Sequence, residues 1–205
     1  IYVFGLHPAD PRKNPVEITH TLNKAGVPGE SFISAWYLSE IITANQEDHI
    51  FFEYSGYQSQ ISYPVPSRMQ GGKDIKGELL NQTRTCLYEG KRIQEIRWRE
   101  GRMAFETASM GGFPGGDYTV LSKILVWSVD GRPVRVFELQ YSFFPSIGCG
   151  SPDDYLPPCK KIRLDKITEW AGDGSVSKPP WWFFYNDLPL PPRGTWSKDY
   201  WGYYN

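Results

Sequence analysis

Only three histidines and three cysteines occur among the 205 residues, and neither type clusters. His7, His20 and His49 stand far apart with no nucleophile or acid at a set spacing, so each reads as a surface or packing residue. No HExxH, no CxxC pair and no His-rich run offers a zinc site. The GxxxxGK[ST] loop is missing. The glycines of GGFPGGD lack the strand-to-helix setting in which backbone amides hold a phosphate. GxSxG is missing as well. Enzymatic chemistry therefore has no visible carrier, no cofactor is expected, and a hydrolase built on scattered carboxylates is the weakest of the functional readings.

Long apolar runs are also lacking: no stretch approaches the roughly 20 residues that cross a bilayer as a helix, so no membrane span is expected. Charge of one sign is lacking too. Lys plus Arg number 22 against 23 Asp plus Glu, a net charge of -1, so neither nucleic acid nor an anionic membrane is expected to hold this chain electrostatically. No signal peptide is visible, and the opening IYVFGLHPAD reads as a processing or cutting boundary. What the chain does have is rings and turn formers: 16% aromatic residues, 20 Gly and 17 Pro. Rings and β-branched residues suit a pleated surface, while Gly and Pro interrupt it, so short strands joined by turns follow.

Two cysteines, Cys149 and Cys159, bound the turn-rich CGSPDDYLPPC. They form a candidate disulfide, worth about 3 kcal/mol at best in the chain-entropy picture, or are two ordinary loop thiols. Cys86, in the strand-like TRTCLYEG, reads as a small core residue.

Periodicity carries most of the information. One phrase occurs four times: Leu38-Ser-Glu-Ile41, Ile93-Gln-Glu-Ile96, Leu121-Ser-Lys-Ile124 and Leu164-Asp-Lys-Ile167. Behind each copy, after a gap of turn formers, comes a run of period-2 alternation: Ile50, Phe52, Tyr54; Met103, Phe105, Thr107; Phe137, Leu139, Tyr141; Trp181, Phe183, Tyr185. The gaps are ANQEDH, REG, VDGRP and AGDGSVSKPP, with Asp130-Gly131 the best tight-turn signal. Each unit is thus a β-hairpin with one face toward a core. A lone hairpin is marginal in water, so the four are expected to pair edge to edge and share an apolar face. PVPSRMQGGKDIKGE (64–78) and SMGGFPGGD (109–117) read as inserted loops. Glu53, Glu106 and Glu138 alternate with apolar neighbours and should point outward. The fold class expected is all-β: antiparallel hairpin repeats in an open or curling sheet with little helix.

The phrases WYLSEIITANQEDHIFFEYS, YTVLSKILVWSVDGRPVRVFELQYSFF, KKIRLDKITEWAG and LPLPPRGTWSKDYWGYYN, in that order, resemble the RHS (YD-repeat) proteins of bacteria, in particular the N-terminal part of large surface or secreted versions. The likeness covers most of residues 33–205. It implies strips of β-hairpins that coil into a hollow shell, often around a C-terminal toxin released by self-cleavage. It also implies an extracellular or cell-surface location, in keeping with a Cys149–Cys159 bridge. The partners it implies are the remaining repeats of a longer parent protein, a toxin cargo, or a cell-surface glycan. The chain departs from the family in having no run of standard YD repeats and no toxin or autoprotease segment. On this reading residues 1–32 are an irregular N-terminal segment or edge strands, and 33–205 are one hairpin-repeat region cut from a longer chain.

The one binding candidate is aromatic. Trp181, Trp182, Phe183, Phe184, Tyr185, Trp196, Tyr200, Trp201, Tyr203 and Tyr204 all fall near the C-terminus. Trp182, Trp196, Tyr200, Trp201 and Tyr203 are the candidate ligand-contact rings of a carbohydrate- or surface-binding module, because their π faces match the C–H surface of a sugar. The competing reading for all of them is packing against a neighbouring hairpin. Asp153-Asp154 is either a calcium-ligand fragment or a solvated turn.

Overall fold

The computed structural model describes residues 1–7, 9–23, 26–65, 82–113, 116–145 and 161–190. Eleven strands follow in order: β1 (Tyr2–Phe4), β2 (Val16–Leu22), β3 (Pro28–Trp36), β4 (Leu38–Ile42), β5 (His49–Val65), β6 (Gln82–Trp98), β7 (Gly101–Phe113), β8 (Gly116–Ser128), β9 (Pro133–Phe143), β10 (Ile162–Ala171) and β11 (Trp181–Trp182). Among the described residues the only helical element is a 3-10 turn at Pro11–Lys13, capped by the Asp10 side chain, which accepts from the Arg12 amide. All strands join one antiparallel sheet in the order β1-β4-β5-β6-β7-β8-β9-β10-β11, which is left open rather than closed into a barrel. The hairpin β2–β3 branches from it, with β2 pairing β6 over Ile18–Leu22 and Thr85–Glu89.

The four repeated phrases fall on β4, β6, β8 and β10, and each heads a hairpin. In every copy the closing isoleucine sits opposite the start of the returning strand's alternation. The pairs are Ile41 with Ile50, Ile96 with Met103, Ile124 with Phe137, and Ile167 with Trp181. The turns between these strands use the left-handed region where it is needed: Gln46 has φ 61°, Gly131 77° and Gly174 73°. Asp130 reinforces its turn by accepting from Ser128 Oγ and Arg132, which hold its carboxyl below the usual aspartate range.

Two sequence expectations need correction. Segment 109–117 is not an inserted loop: β7 runs through Phe113 and β8 begins at Gly116, so the hairpin simply lengthens. Its glycines are absorbed as a register shift between Ser109 and Gly112 rather than ending the ladder. Likewise Pro64 and Val65, placed in a loop by the sequence, close β5 against Thr83 and Gln82. A third difference lies in the fourth hairpin, where the ladder lasts only Trp181–Trp182 before the chain leaves strand geometry.

Cross-strand register sorts the side chains into two faces. One face carries the rows Phe52–Ile96–Met103–Val126, Phe105–Ile124–Phe137 and Leu139–Ile167–Trp181. The other carries Glu106–Lys123–Glu138, charges alternating in sign, and Phe51–Arg97–Arg102–Trp127. On that face Arg97 pairs with Glu53, and the Arg102 guanidinium lies 4.1 Å from the Trp127 ring centre. No second layer covers the apolar face among the described residues: the buried apolar side chains are Cys86, 3% exposed, and Pro15, and no large side chain is fully buried. The sheet is therefore a single amphipathic layer, with most of its apolar residues half-buried by their in-plane neighbours.

Candidate functional site

The last described hairpin holds a cluster in which exposed rings and charge meet. Its returning segment runs beside β10, with Phe183 N–H on Asp165 O at 2.9 Å and Tyr185 Oη on Leu164 O at 2.9 Å. Phe144 meets the Tyr185 ring edge-on, centroids 5.1 Å apart. Alternation survives in the exposures: Phe183 and Tyr185 are each 40% exposed, against 57% for Trp182 and 90% for Phe184. Trp182 stands opposite Lys166, whose ammonium is 5.2 Å from the ring centre. Of the candidate ligand-contact rings only Trp182 is described. Trp196, Tyr200, Trp201 and Tyr203 lie outside the described residues, as do Cys149, Cys159 and Asp153-Asp154.

A charged clamp closes the same hairpin, and it was not legible from spacing. Glu169, 6% exposed, is gripped between Arg135 on β9 and Lys178 in the turn. Lys178 contributes twice, its Nζ at 2.9 Å from Oε2 and its backbone N–H on Glu169 O at 2.9 Å. Lys178 first, then Arg135, holds the Glu169 carboxyl below the usual glutamate range. The available signal was phase: Ile167, Glu169 and Ala171 share a face, and an acid on an apolar face needs a cation. A carboxyl lowered by folding stabilises at pH above the usual glutamate range, and that contribution fades as pH falls through the folded-state value. Acid titration is therefore expected to loosen hairpin β10–β11 below the ordinary glutamate range, read as faster amide exchange at Lys178 and Phe183. Glu169→Gln should flatten that acid limb; an unchanged limb contradicts the clamp.

Three tyrosines report partial burial. Burial is the main cause that raises the hydroxyl pKa of Tyr37, Tyr54 and Tyr141. Tyr37 joins β3 to β4, its ring 5.5 Å from that of Tyr54 and its hydroxyl donating to Glu17 Oε2 at 3.3 Å. The histidines sit in three separate settings. His7 Nδ1 accepts from the Asp10 amide at 3.0 Å, His20 Nδ1 lies 2.7 Å from Ser31 Oγ, and His49 Nδ1 lies 2.6 Å from Glu40 Oε1. Among the described residues no group of three or more His, Cys, Asp or Glu is placed to hold a metal ion. A cavity of about 660 Å³ lies between the Pro11–Asn14 arm and strands β2, β5 and β6, with Arg12, Gln58, Glu89 and Lys91 on its walls.

Comparison with protein-family models, with curated proteins and with solved structures gives no match. Among the described residues, no helix is long and apolar enough to cross a membrane.

Proposed function

We propose that this chain is a structural β-hairpin segment of an RHS-like (YD-repeat) protein, part of a shell or scaffold that works outside the cell or at its surface. The reading rests on one observation above the others: an apolar sheet face with Phe105, Ile124 and Phe137 at its centre and no second layer among the described residues. A single-layer sheet of tiled hairpins makes mechanical sense as wall, because each hairpin buries its in-plane edges against the next and leaves one broad face for something else to cover. The phrases quoted above supply the family, and the family supplies the compartment and the toxin-type cargo. No catalytic role is assigned.

Reading the coding sequence on either side of this chain tests the proposal. Further Ile-centred hairpins are expected there; flanking domains of an unrelated class on both sides overturn it. In solution, the exposed face should bind the dye anilinonaphthalene sulfonate in the native state, with a fluorescence rise that persists below the unfolding transition. A dark dye means the face is covered.

A second reading, a carbohydrate- or surface-binding module, is favoured by the Trp182, Phe184 and Lys166 group, where exposed rings stand beside a cation. Tryptophan-fluorescence titration with neutral and acidic oligosaccharides separates the two readings. Saturable quenching that Trp182→Ala removes supports binding, and flat titrations across a glycan panel dismiss it.

A further inference from the structure

Among the described residues strand β3 has a free edge, pairs with β2 alone and has little over its faces beyond Gly5, which lies against the Trp36 ring. Every residue from Pro28 to Trp36 except Ala35 is exposed. Phe32 is 54%, Ile33 45% and Trp36 59% exposed, and the first two, being adjacent, point to opposite faces. Other edges of the sheet are blunted by familiar devices. β1 spans only three residues, and β11 spans two and follows Pro179-Pro180. β7 beyond Ala104 carries Glu106, and β5 beyond Phe51 carries Gln58, Ser59 and Gln60. By contrast Ser31–Trp36 reads SFISAW, without charge, proline or glycine.

The strand is also held ready. Thr19 Oγ1 donates to Ser34 Oγ at 2.9 Å, and Ser34 Oγ donates to Glu17 Oε1 at 2.7 Å. His20 Nδ1 adds its 2.7 Å contact to Ser31 Oγ. These ties fix β3 on β2, and register shifts on both sides leave Ser31–Ile33 as the regular run opposite Ile18–His20. An ordered strand with a row of unfilled backbone donors and acceptors adds another strand at little entropic cost.

We propose that this edge pairs antiparallel with β3 of a second copy of the chain, across a two-fold axis passing near Phe32. Charge selects this partner. Glu30 is the only ionisable side chain in the strand, and with Phe32 on the axis it falls opposite Ser34 of the other copy, so no like charges meet. The pairing is isologous: each copy fills the other's edge, the assembly closes at two, and no free β3 edge remains.

Sedimentation equilibrium of the full chain over a range of micromolar concentrations tests this, together with amide exchange resolved along β3. A monomer–dimer equilibrium is expected, with those amides of Ser31–Ile33 that point away from β2 gaining protection as concentration rises. Phe32→Lys sets two ammonium groups opposite each other and removes the central ring pair, so the dissociation constant should rise about tenfold. Phe184→Lys, a change at a ring 90% exposed beyond β11, should leave it unaltered. A concentration-independent monomer, a dimer indifferent to Phe32→Lys, open-ended oligomers, or protection confined to other strands each overturn the proposal. Circular dichroism of the variant confirms that it keeps its sheet, and the exchange pattern of the unaltered chain stands without it.

Discussion

Gly172→Ala is expected to destabilise the sheet by about 2 kcal/mol, although it adds a single methyl group to an exposed turn. Gly172 follows β10 and donates its N–H to Val134 O at 3.1 Å, the last backbone bond between the third and fourth hairpins at that end. A Cβ on Gly172 would overlap the carbonyl of Pro133, with the Val134 nitrogen also inside contact distance. Both obstacles are backbone, so no side-chain rotation relieves the clash, and β9 and β10 must separate. The same addition at Gly174, where nothing lies within 4 Å, meets no wall and costs only the strain of its φ of 73°. Urea unfolding distinguishes the two causes. A midpoint drop at Gly172→Ala well above that at Gly174→Ala shows that close approach decides; equal drops show that turn conformation does. The lost contact should also surface as faster exchange at Ala171 and Gly172, next to the Glu169 clamp.

The hairpins were legible because each obeys one local rule. Strand residues alternate, the isoleucine of each phrase lands across from the first ring or aliphatic of the return, and a turn signal sits between. Ile124 and Phe137 show the rule best, since Asp130 and Gly131 fix the turn and the turn fixes the register. Strand length was less legible. A Gly-Gly pair looks like punctuation in a sequence, yet in β7 the pairing energy of the neighbouring ladder carries the strand through it. The pairing of β2 with β6, and so the branch of β2 and β3 from the main sheet, had no local signature. Residues 28–36 are exposed on both faces, so no burial rhythm was ever written into them, and their strand geometry comes from backbone pairing with β2 and from the Ser31 and Ser34 hydroxyls. The Glu169 clamp joins residues 34 and 9 positions apart, a distance set by folding rather than by any local spacing. As for the aromatic candidates, what could be read was composition, and composition does not say which face a ring takes. Register does: Trp181 lies with Ile167 and Leu139 on the apolar side, and Trp182 with Lys166 and Gln140 on the polar side.

That one-residue reversal yields the second large effect. Ile124→Asp is expected to cost about 2 kcal/mol, whereas Lys123→Thr, its direct neighbour, should stay within about 0.5 kcal/mol. Ile124 is half-buried between Phe105 and Phe137. Removing it forfeits two cross-strand apolar contacts and part of a transfer energy of about 1.5–3 kcal/mol for a fully buried aliphatic chain. The cation of that face, Arg135 two residues from Phe137 on β9, is already held by Glu169, and Lys123 lies on the opposite face. For Lys123 the loss is limited to screened attraction toward two glutamates, and threonine restores β propensity. The cost at Ile124 stays at the low end of the roughly 2–5 kcal/mol of a buried aliphatic truncation in a two-layer core, because no second layer packs on it among the described residues. Chemical denaturation of both variants therefore measures the cover directly. An Ile124→Asp cost near 2 kcal/mol with Lys123→Thr neutral fits a single exposed layer. A cost of about 4 kcal/mol or more at Ile124 means that another part of the chain lies over that face. Equal costs at the two positions mean that the register, and with it the division into faces, is wrong.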